Sequence, residues 1–340
     1  MSRYAEAHKR DKIAGPGDAR PTALQIIHDE NLINALSDKT FLITGVSSGI
    51  GIETLRALQA TGAHCYGTVR NLRAGQSVVS SILTSNPSGG KIDLIEMDLS
   101  DLTSVRRGAS SFLSQSGGNL NLIVANAGVM ACRKGKTVDG FETQFGTNHL
   151  GHFLLFQLLK DVLLSSASPA YPSRVVSVTS WGHRMGSVRF HDYHFENEEY
   201  NEWTAYGQSK TANLWFANAL ERKFGGRDLH ATSVHPGGIT TGLVKHIDKA
   251  YFDSLMEQPE LQRYYKSVEQ GAASQVFAAV GKEWMGKGGR YLSDCVVQPP
   301  FGTQGVDERH DDGYAAWAYD EEGEERLWRE SLEMVGVEEV

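Results

Sequence analysis

The sequence predicts an α/β domain built on a parallel sheet with helices on both faces. Three observations carry that expectation. Short, mostly apolar runs alternate with stretches of helical periodicity along the chain, as repeated βαβ units do. The first run, Phe41-Leu42-Ile43-Thr44, stops at three glycines spaced G-x-x-x-G-x-G (Gly45-Val46-Ser47-Ser48-Gly49-Ile50-Gly51), and a helix-periodic segment follows at once. Small or polar residues recur where the runs end, at Gly45, Arg70, Asp98, Asn126 and Ser180, and on a parallel sheet these positions share the rim where ligands bind.

Composition narrows the function classes. A chain of 340 residues can bury one large core, and with no repeat or linker a single domain over residues 38–340 is preferred, preceded by an N-terminal arm over residues 1–37. Hydrophobic residues at 40% and charged residues at 22% mark an ordinary globule rather than a disordered chain. The net charge of -8, without a basic run interleaved with aromatics, argues against nucleic acid as a partner. Cys65, Cys132 and Cys295 form no C-x-x-C pair, which fits a reducing compartment. No apolar run approaches the roughly 20 residues of a membrane span, and the N-terminus lacks the apolar core of a secretory signal. The expected location is the cytoplasm, with no transmembrane segment.

Residues 1–21 are polar and broken by Gly15-Pro16-Gly17, whereas Leu24, Ile27, Leu32 and Leu36 can lay a short amphipathic segment on the body or on a second subunit. The glycine turn at 45–51 is either a pyrophosphate cradle, with backbone N–H groups aimed at the phosphates, or a tight strand-to-helix turn and nothing more. A second strand, Cys65-Tyr66-Gly67-Thr68-Val69, ends at Arg70. An acid accepting from the adenosine ribose would sit there; Val69 and Arg70 take its place, and the guanidinium either pairs with a 2'-phosphate or is simply solvated.

A helix over 72–83 leads to a strand over 92–97 and to Asp98, within reach of an adenine amino group; Ser100 or Asp101 caps the helix from Leu102. The strand over 120–125 closes in Asn126-Ala127-Gly128, which leaves room for a flat ligand, although Asn126 can equally satisfy nearby backbone. A helix spans about 141–164, and Gly146, Asn148 and Gly151 weaken its interior enough to call for a backbone opening or close packing.

Strand 174–180 emerges in hydroxyls at Thr179 and Ser180. The acidic, aromatic insertion over 189–203 holds His191 and His194 without a third ligand at sensible spacing, so no metal is expected. Tyr206 and Lys210 then fall one turn apart on one helix face, about 6 Å along the axis. An ammonium beside a phenol favours phenolate and lowers its pKa, and Ser180 can hold the same oxygen, which makes a proton-transfer site; the pair alone is also a common surface motif. Strand 229–235 ends in Pro236-Gly237-Gly238-Ile239-Thr240-Thr241, a turn suited to wrapping the reactive end of a cofactor. Residues 242–268 are rich in apolar and aromatic side chains, including Leu243, Tyr251, Phe252, Leu255 and Tyr265, and form either a pocket wall or a peripheral helix pair. Residues 272–280 read as a helix, 288–292 as a last strand, and 298–340 as an extension ending in a helix around Leu327.

The order and spacing of these pieces resemble the short-chain dehydrogenase/reductase family over roughly residues 38–297. The matching pieces are Thr44-Gly45-Val46-Ser47-Ser48-Gly49-Ile50-Gly51, Asp98-Leu99, Asn126-Ala127-Gly128, Asn148, Ser180, Tyr206-Gly207-Gln208-Ser209-Lys210 and Pro236-Gly237 with Thr241. The long gap between Ser180 and Tyr206, and Tyr291-Leu292-Ser293-Asp294-Cys295 followed by Leu327-Trp328, are similar to the branch of retinol dehydrogenases and WW-domain-containing oxidoreductases.

The resemblance implies a seven-stranded, Rossmann-like parallel sheet and hydride transfer between a nicotinamide and an alcohol or carbonyl carbon. It makes Tyr206 the acid/base and, with Lys210, a cofactor contact, Ser180 the holder of the substrate oxygen, Lys210 the ribose ligand that also lowers the tyrosine pKa, and Asn148 the holder of a relay water. Gly45, Ser47, Ser48, Gly49 and Ile50 would line the phosphates, Asp98 and Leu99 the adenine, Asn126, Ala127 and Gly128 the ribose region, and Pro236, Gly237, Ile239 and Thr241 the nicotinamide. With Arg70, the expected cofactor is NADP(H) and the expected partner a moderately bulky, apolar alcohol or carbonyl compound. The alternative is a catalytically weak NADP-binding regulatory or scaffold protein, and a homo-oligomer is a common state in the family.

Overall fold

The structure is a computed structural model that describes residues 2–303 and 313–338; Met1 and the parts of the expected C-terminal extension at 304–312 and 339–340 lie outside the described residues. Seven strands run parallel: β1 (Thr40–Thr44), β2 (His64–Val69), β3 (Ile92–Glu96), β4 (Leu122–Ala125), β5 (Ser173–Val178), β6 (Leu229–His235) and β7 (Tyr291–Ser293). Their order across the sheet is β3-β2-β1-β4-β5-β6-β7, so the chain starts in the middle, winds outward to β3, and then crosses to the other side. The seven-stranded parallel expectation holds with one addition. An eighth strand, β8 (Val296–Val297), pairs antiparallel with β7. The two residues between them, Asp294 and Cys295, have φ of 55° and 57°, the conformation of a two-residue hairpin turn.

The helices in chain order are α1 (Ala23–Asp29), α2 (Ile50–Gln59), α3 (Leu72–Ser85), α4 (Leu102–Gln115), the single turn α5 (Thr143–Phe145), α6 (Gly151–Ser166), α7 (Glu202–Phe224), α8 (Lys249–Met256), α9 (Pro259–Tyr264), α10 (Val268–Gly271), α11 (Ala273–Val280) and α12 (Glu321–Val335). Alternation along the strands sorts the core into two layers. Leu42 faces a cluster with Phe112, Phe153, Trp215 and Trp328, from α4, α6, α7 and α12. Phe41 and Ile43 face the other way, onto Ile26, Ile27, Leu55 and Phe277, from α1, α2 and α11. Each such side chain, fully buried, contributes about 1.5–3 kcal/mol.

Local chemistry sets the helix starts. Thr22, Asn71, Asp101 and Asn201 each accept backbone N–H groups in the first turns of α1, α3, α4 and α7. Of the two candidates before Leu102 the cap is therefore Asp101; Ser100 turns back to Asp98. At the N-terminus Ile26 and Ile27 are buried and Leu24 is exposed. Tyr4 meets Phe277 edge to face at 5.6 Å.

The weak stretch around Asn148 is opened as a π-turn, Gly146–Leu150, between α5 and α6. Close packing accompanies the opening, since a Cβ on Gly151 would lie 2.6 Å from the Leu99 carbonyl oxygen. Extra-residue turns of this kind displace a helix's register at a functional site. No described helix is long and apolar enough to cross a membrane.

Candidate active site

A cavity of about 930 Å³ opens at the carboxyl ends of the central strands. The glycine turn, Arg70, Asp98 with Leu99, residues 126–128, Ser180, Tyr206, Lys210, Pro236, Gly237, Ile239 and Thr241 all line it. Of the residues expected at the site only Asn148 lies behind the wall, with no exposed surface.

The turn between β1 and α2 is shaped by exclusion. A Cβ on Gly51 would sit 2.2 Å from the Gly45 carbonyl oxygen and 2.7 Å from Asn126 Nδ2, so no side chain fits there. Gly49 caps α2 at φ 60° without a capping side chain, which leaves backbone N–H groups for an anion at the helix N-terminus. Asn126 does satisfy neighbouring backbone: its Nδ2 donates to the Thr44 carbonyl at 2.8 Å, and its Oδ1 accepts from Gln275 Nε2 at 3.2 Å. It shapes the cradle from behind. Asp98 Oδ1 is steadied by the Ser100 N–H and hydroxyl at 2.9 and 2.7 Å. Arg70 is exposed on the cavity rim, and the side-chain oxygen of its neighbour Asn71 is committed to the Ala74 N–H that starts α3.

On the other side, α7 presents Tyr206 and Lys210, 5% and 4% exposed. Lys210 Nζ lies 5.6 Å from the centre of the Tyr206 ring and donates to the Val178 carbonyl at 3.0 Å. Thr179 Oγ1 donates to the Lys210 carbonyl at 2.6 Å, tying α7 to the end of β5. Ser180 follows, its Oγ accepting the Gly182 N–H at 3.0 Å and hydrogen-bonding the Tyr206 phenol.

Asn148 locks the back of this group. Its Nδ2 donates to the Val129 carbonyl and to Ser209 Oγ, both at 2.9 Å, and its Oδ1 accepts the Val129 N–H at 2.8 Å. Ser209 Oγ in turn donates to the Tyr206 carbonyl at 2.8 Å.

Burial, not the neighbouring ammonium, dominates the electrostatics. It lifts the Tyr206 phenol to about 12, with the Ser180 hydrogen bond pulling the other way. It also lowers the Lys210 ammonium to about 8. The expectation that Lys210 holds the tyrosine below its ordinary value is thus corrected by the structure. The i,i+4 spacing places the charge, but both groups have left water and the ammonium donates to the Val178 carbonyl.

Sequence reasoning missed His152, which joins the two halves of the site. Its Nδ1 is 2.9 Å from the Asn148 carbonyl, which only accepts, so Nδ1 carries the proton and Nε2 accepts from Thr44 Oγ1 at 2.8 Å. Thr44 Oγ1 then accepts the N–H groups of Asn126 and Ala127, each at 2.9 Å. Burial holds this histidine neutral, down to about 4. The available signal was its place four residues after Asn148, in the same weak helical stretch.

The remaining wall is largely apolar, with Met130, Trp181, Trp203, Leu243, Phe252 and Tyr265 on it; the Tyr251 side chain lies outside the described residues. Residues 242–268 thus do reach the cavity, and Lys245 and His246 sit exposed at its edge. His191 pairs with Glu198 at 2.9 Å, whereas His194 Nδ1 accepts the Glu142 N–H at 3.2 Å, so the two do not converge.

A family model described as short chain dehydrogenase matches residues 39–251. Among curated proteins, the short-chain dehydrogenase/reductase prx1 of Penicillium rubens is 48% identical over 328 residues, covering 96% of this chain and 93% of its own. Retinol dehydrogenase 12 of Mus musculus is 36% identical over 300 residues, covering 88% and 87%. A crystal structure of a protein from Mycobacterium paratuberculosis superposes with a TM-score of 0.66 at 32% identity, covering 88% of this chain and 94% of that one.

Proposed function

The chain belongs to the short-chain dehydrogenase family, and on that premise we propose that it is an NADP(H)-dependent oxidoreductase acting on an alcohol or carbonyl group of a moderately bulky, apolar substrate. The observation that carries the reading is the meeting of Ser180, Tyr206 and Lys210 in one cavity with an uncapped, glycine-only helix start. A dinucleotide suits these residues. Gly49 caps α2 without a side chain, so the backbone N–H groups of that helix start can meet a pyrophosphate, and Lys210 brings a buried ammonium to the same wall, where a ribose hydroxyl can accept from it.

When bound, the nicotinamide supplies the hydride donor or acceptor. The chain supplies the rest. Tyr206, protonated at neutral pH with its phenol at about 12, donates its proton to a carbonyl oxygen during reduction and takes one from the alcohol during oxidation. Ser180 Oγ holds that oxygen and the phenol together. The resemblance to the family assigns the relay water to Asn148, whose side chain is engaged with Val129 and Ser209 and whose carbonyl accepts from His152.

Arg70 on the rim selects NADP over NAD by pairing with the 2'-phosphate, since neither Val69 nor Arg70 offers a carboxylate to a 2'-hydroxyl. The apolar wall favours neutral, bulky carbonyl compounds, each Å² of buried apolar area contributing roughly 25 cal/mol. The three cysteines are buried free thiols, which supports the cytoplasm as the location. Oxidation of NADPH, followed across a panel of ketones of rising size with and without a carboxylate, tests the reading. Turnover of the neutral, bulky members supports it; cofactor binding without turnover of any member favours a regulatory or scaffold role instead.

A further inference from the structure

The N-terminal arm is wound onto the segment that closes the apolar side of the cavity. Phe252 and Leu255 on α8 and Tyr265 just after α9 line the cavity, and the rings of Phe252 and Tyr265 meet edge to face at 6.5 Å. α9 is six residues long, too short to hold its own end, and its last carbonyls have no partner within the helix.

Arg20 takes them. Its Nη1 donates to the Tyr264 carbonyl at 2.9 Å, and its Nη2 to the carbonyls of Tyr265, Arg263 and Gly15 at 2.6, 3.2 and 3.2 Å. Its Nε donates to Asp18 Oδ1 at 2.9 Å, so this guanidinium, only 4% exposed, is paired and each of its three nitrogens donates. The grip is mutual. Arg263 Nε donates to the Ile13 carbonyl at 3.1 Å. Gln270 Oε1 accepts the Gly17 N–H at 2.9 Å while its Nε2 donates to the Arg20 carbonyl at 3.0 Å.

We propose that Arg20 is a specificity-determining positioning residue: by tying the last carbonyls of α9 to the arm it fixes Phe252, Leu255 and Tyr265, and so sets how bulky a substrate the cavity accepts. A cation at a helix C-terminus also opposes the partial negative charge there. The inference rests on the oxidoreductase reading for its substrate, although not for its geometry.

The test uses the full chain with Arg20→Ala and Arg20→Lys. KM and kcat with NADPH are measured for one small and one bulky, fused-ring ketone, NADPH affinity separately, and backbone hydrogen exchange over residues 249–265. Loss of several charge-assisted hydrogen bonds is expected to raise KM for the bulky ketone about tenfold or more. KM for the small ketone, kcat for both and NADPH affinity should change less than about twofold. Exchange over 249–265 should quicken.

Arg20→Lys, a point charge without the fork, should recover only part of the loss, and millimolar ethylguanidinium should lower the raised KM of Arg20→Ala. Equal KM increases for both ketones, a fall in kcat alone, or no response to ethylguanidinium would overturn the positioning role. If Arg20→Ala does not fold, Gln270→Ala, which frees Gly17 and the Arg20 carbonyl, is held to the same KM pattern. Failure of every ketone to turn over would remove the oxidoreductase reading. Exchange over 249–265 still decides the clamp in that case, and unchanged exchange in Arg20→Ala would overturn it.

Discussion

Tyr206→Phe is the sharpest test of the proton-transfer assignment, because the structure separates what the substitution removes from what it leaves. The ring stays against Gly182, where a Cβ would come within 2.8 Å of Tyr206 Cε1. Ser180 Oγ keeps the Gly182 N–H at 3.0 Å and loses only its bond to the phenol, a change of about 1 kcal/mol in stability. No hydrogen bond links the phenol to the glycine turn, so NADPH affinity should move less than about twofold.

Turnover should fall by about 10²–10⁴, the usual worth of a positioned proton donor. The elevated phenol adds a second signature. At neutral pH a group at about 12 is almost wholly protonated, so ketone reduction finds its proton in place. Alcohol oxidation needs the rare phenolate, and its rate should climb about tenfold per pH unit as pH rises from about 7 toward 9. The assay is nicotinamide absorbance in both directions, with NADPH affinity and circular dichroism measured on the same preparations. A folded Tyr206→Phe enzyme within about tenfold of the parent turnover, or an oxidation rate flat in pH, would refute the reasoning.

Arg70→Ala should weaken NADPH by roughly one to two orders of magnitude and NADH hardly at all, since a charge-assisted fork to the 2'-phosphate is lost; equal losses by titration would show that Arg70 serves a shared group. His152→Leu leaves the Asn148 carbonyl and the Thr44 hydroxyl without their shared partner, at about 1–3 kcal/mol for each buried group, and should lower both NADPH affinity and turnover; Thr44→Val combined with His152→Leu should cost less than the sum, as read by denaturant melts. Burial lowers His149, His152, His183 and His235 to about 3, 4, 4 and 3. Because these folded values lie below the unfolded value near 6.5, the unfolded chain binds more protons between about pH 4 and 6.5. Stability is therefore full above about 6.5 and lost on acidification, each histidine adding a slope of about 1.4 kcal/mol per pH unit. Urea midpoints that do not fall between pH 6.5 and 5 would contradict it.

The rim of the sheet was legible because its determinants are local. The glycine turn, the small residues closing β4 and the Tyr206–Lys210 spacing each state a geometry within a few residues, and parallel topology then brings them to one cavity. Where the answer lay in tertiary burial, local sequence was silent or misleading. The spacing shows that Lys210 is near Tyr206 but not that both are out of water, and the direction of the phenol's shift follows from the second fact. β8 was missed because its hairpin turn uses Asp294 and Cys295 in a conformation that usually announces itself with glycine or asparagine. The π-turn was half visible: the glycines flanking Asn148 marked an anomaly, and only the packed structure shows that the Asn148 carbonyl meets the His152 ring. The arm's polar, glycine-broken composition gave no sign of packing before Leu24, yet Tyr4 and Ile13 are 6% and 4% exposed.

The separation along the chain between Arg20 and the carbonyls it caps, 243 to 245 residues, has a consequence for the order of assembly. Closing a flexible loop of that length costs about 5 kcal/mol in chain entropy if it is the first contact made, and almost nothing once the sheet has brought the ends together. The Arg20 contact to α9 therefore forms late, after β6 has joined the sheet. During synthesis, which proceeds at roughly 5–20 residues per second, the segments carrying the glycine turn, Ser180, Tyr206 and Lys210 emerge seconds before residue 263 does. Arg3 and Tyr4 have Asp29 within reach during that interval, but the Arg20 fork spends it without the α9 carbonyls. A residue made among the first twenty is thus joined to its α9 partners only after more than two hundred others have followed it.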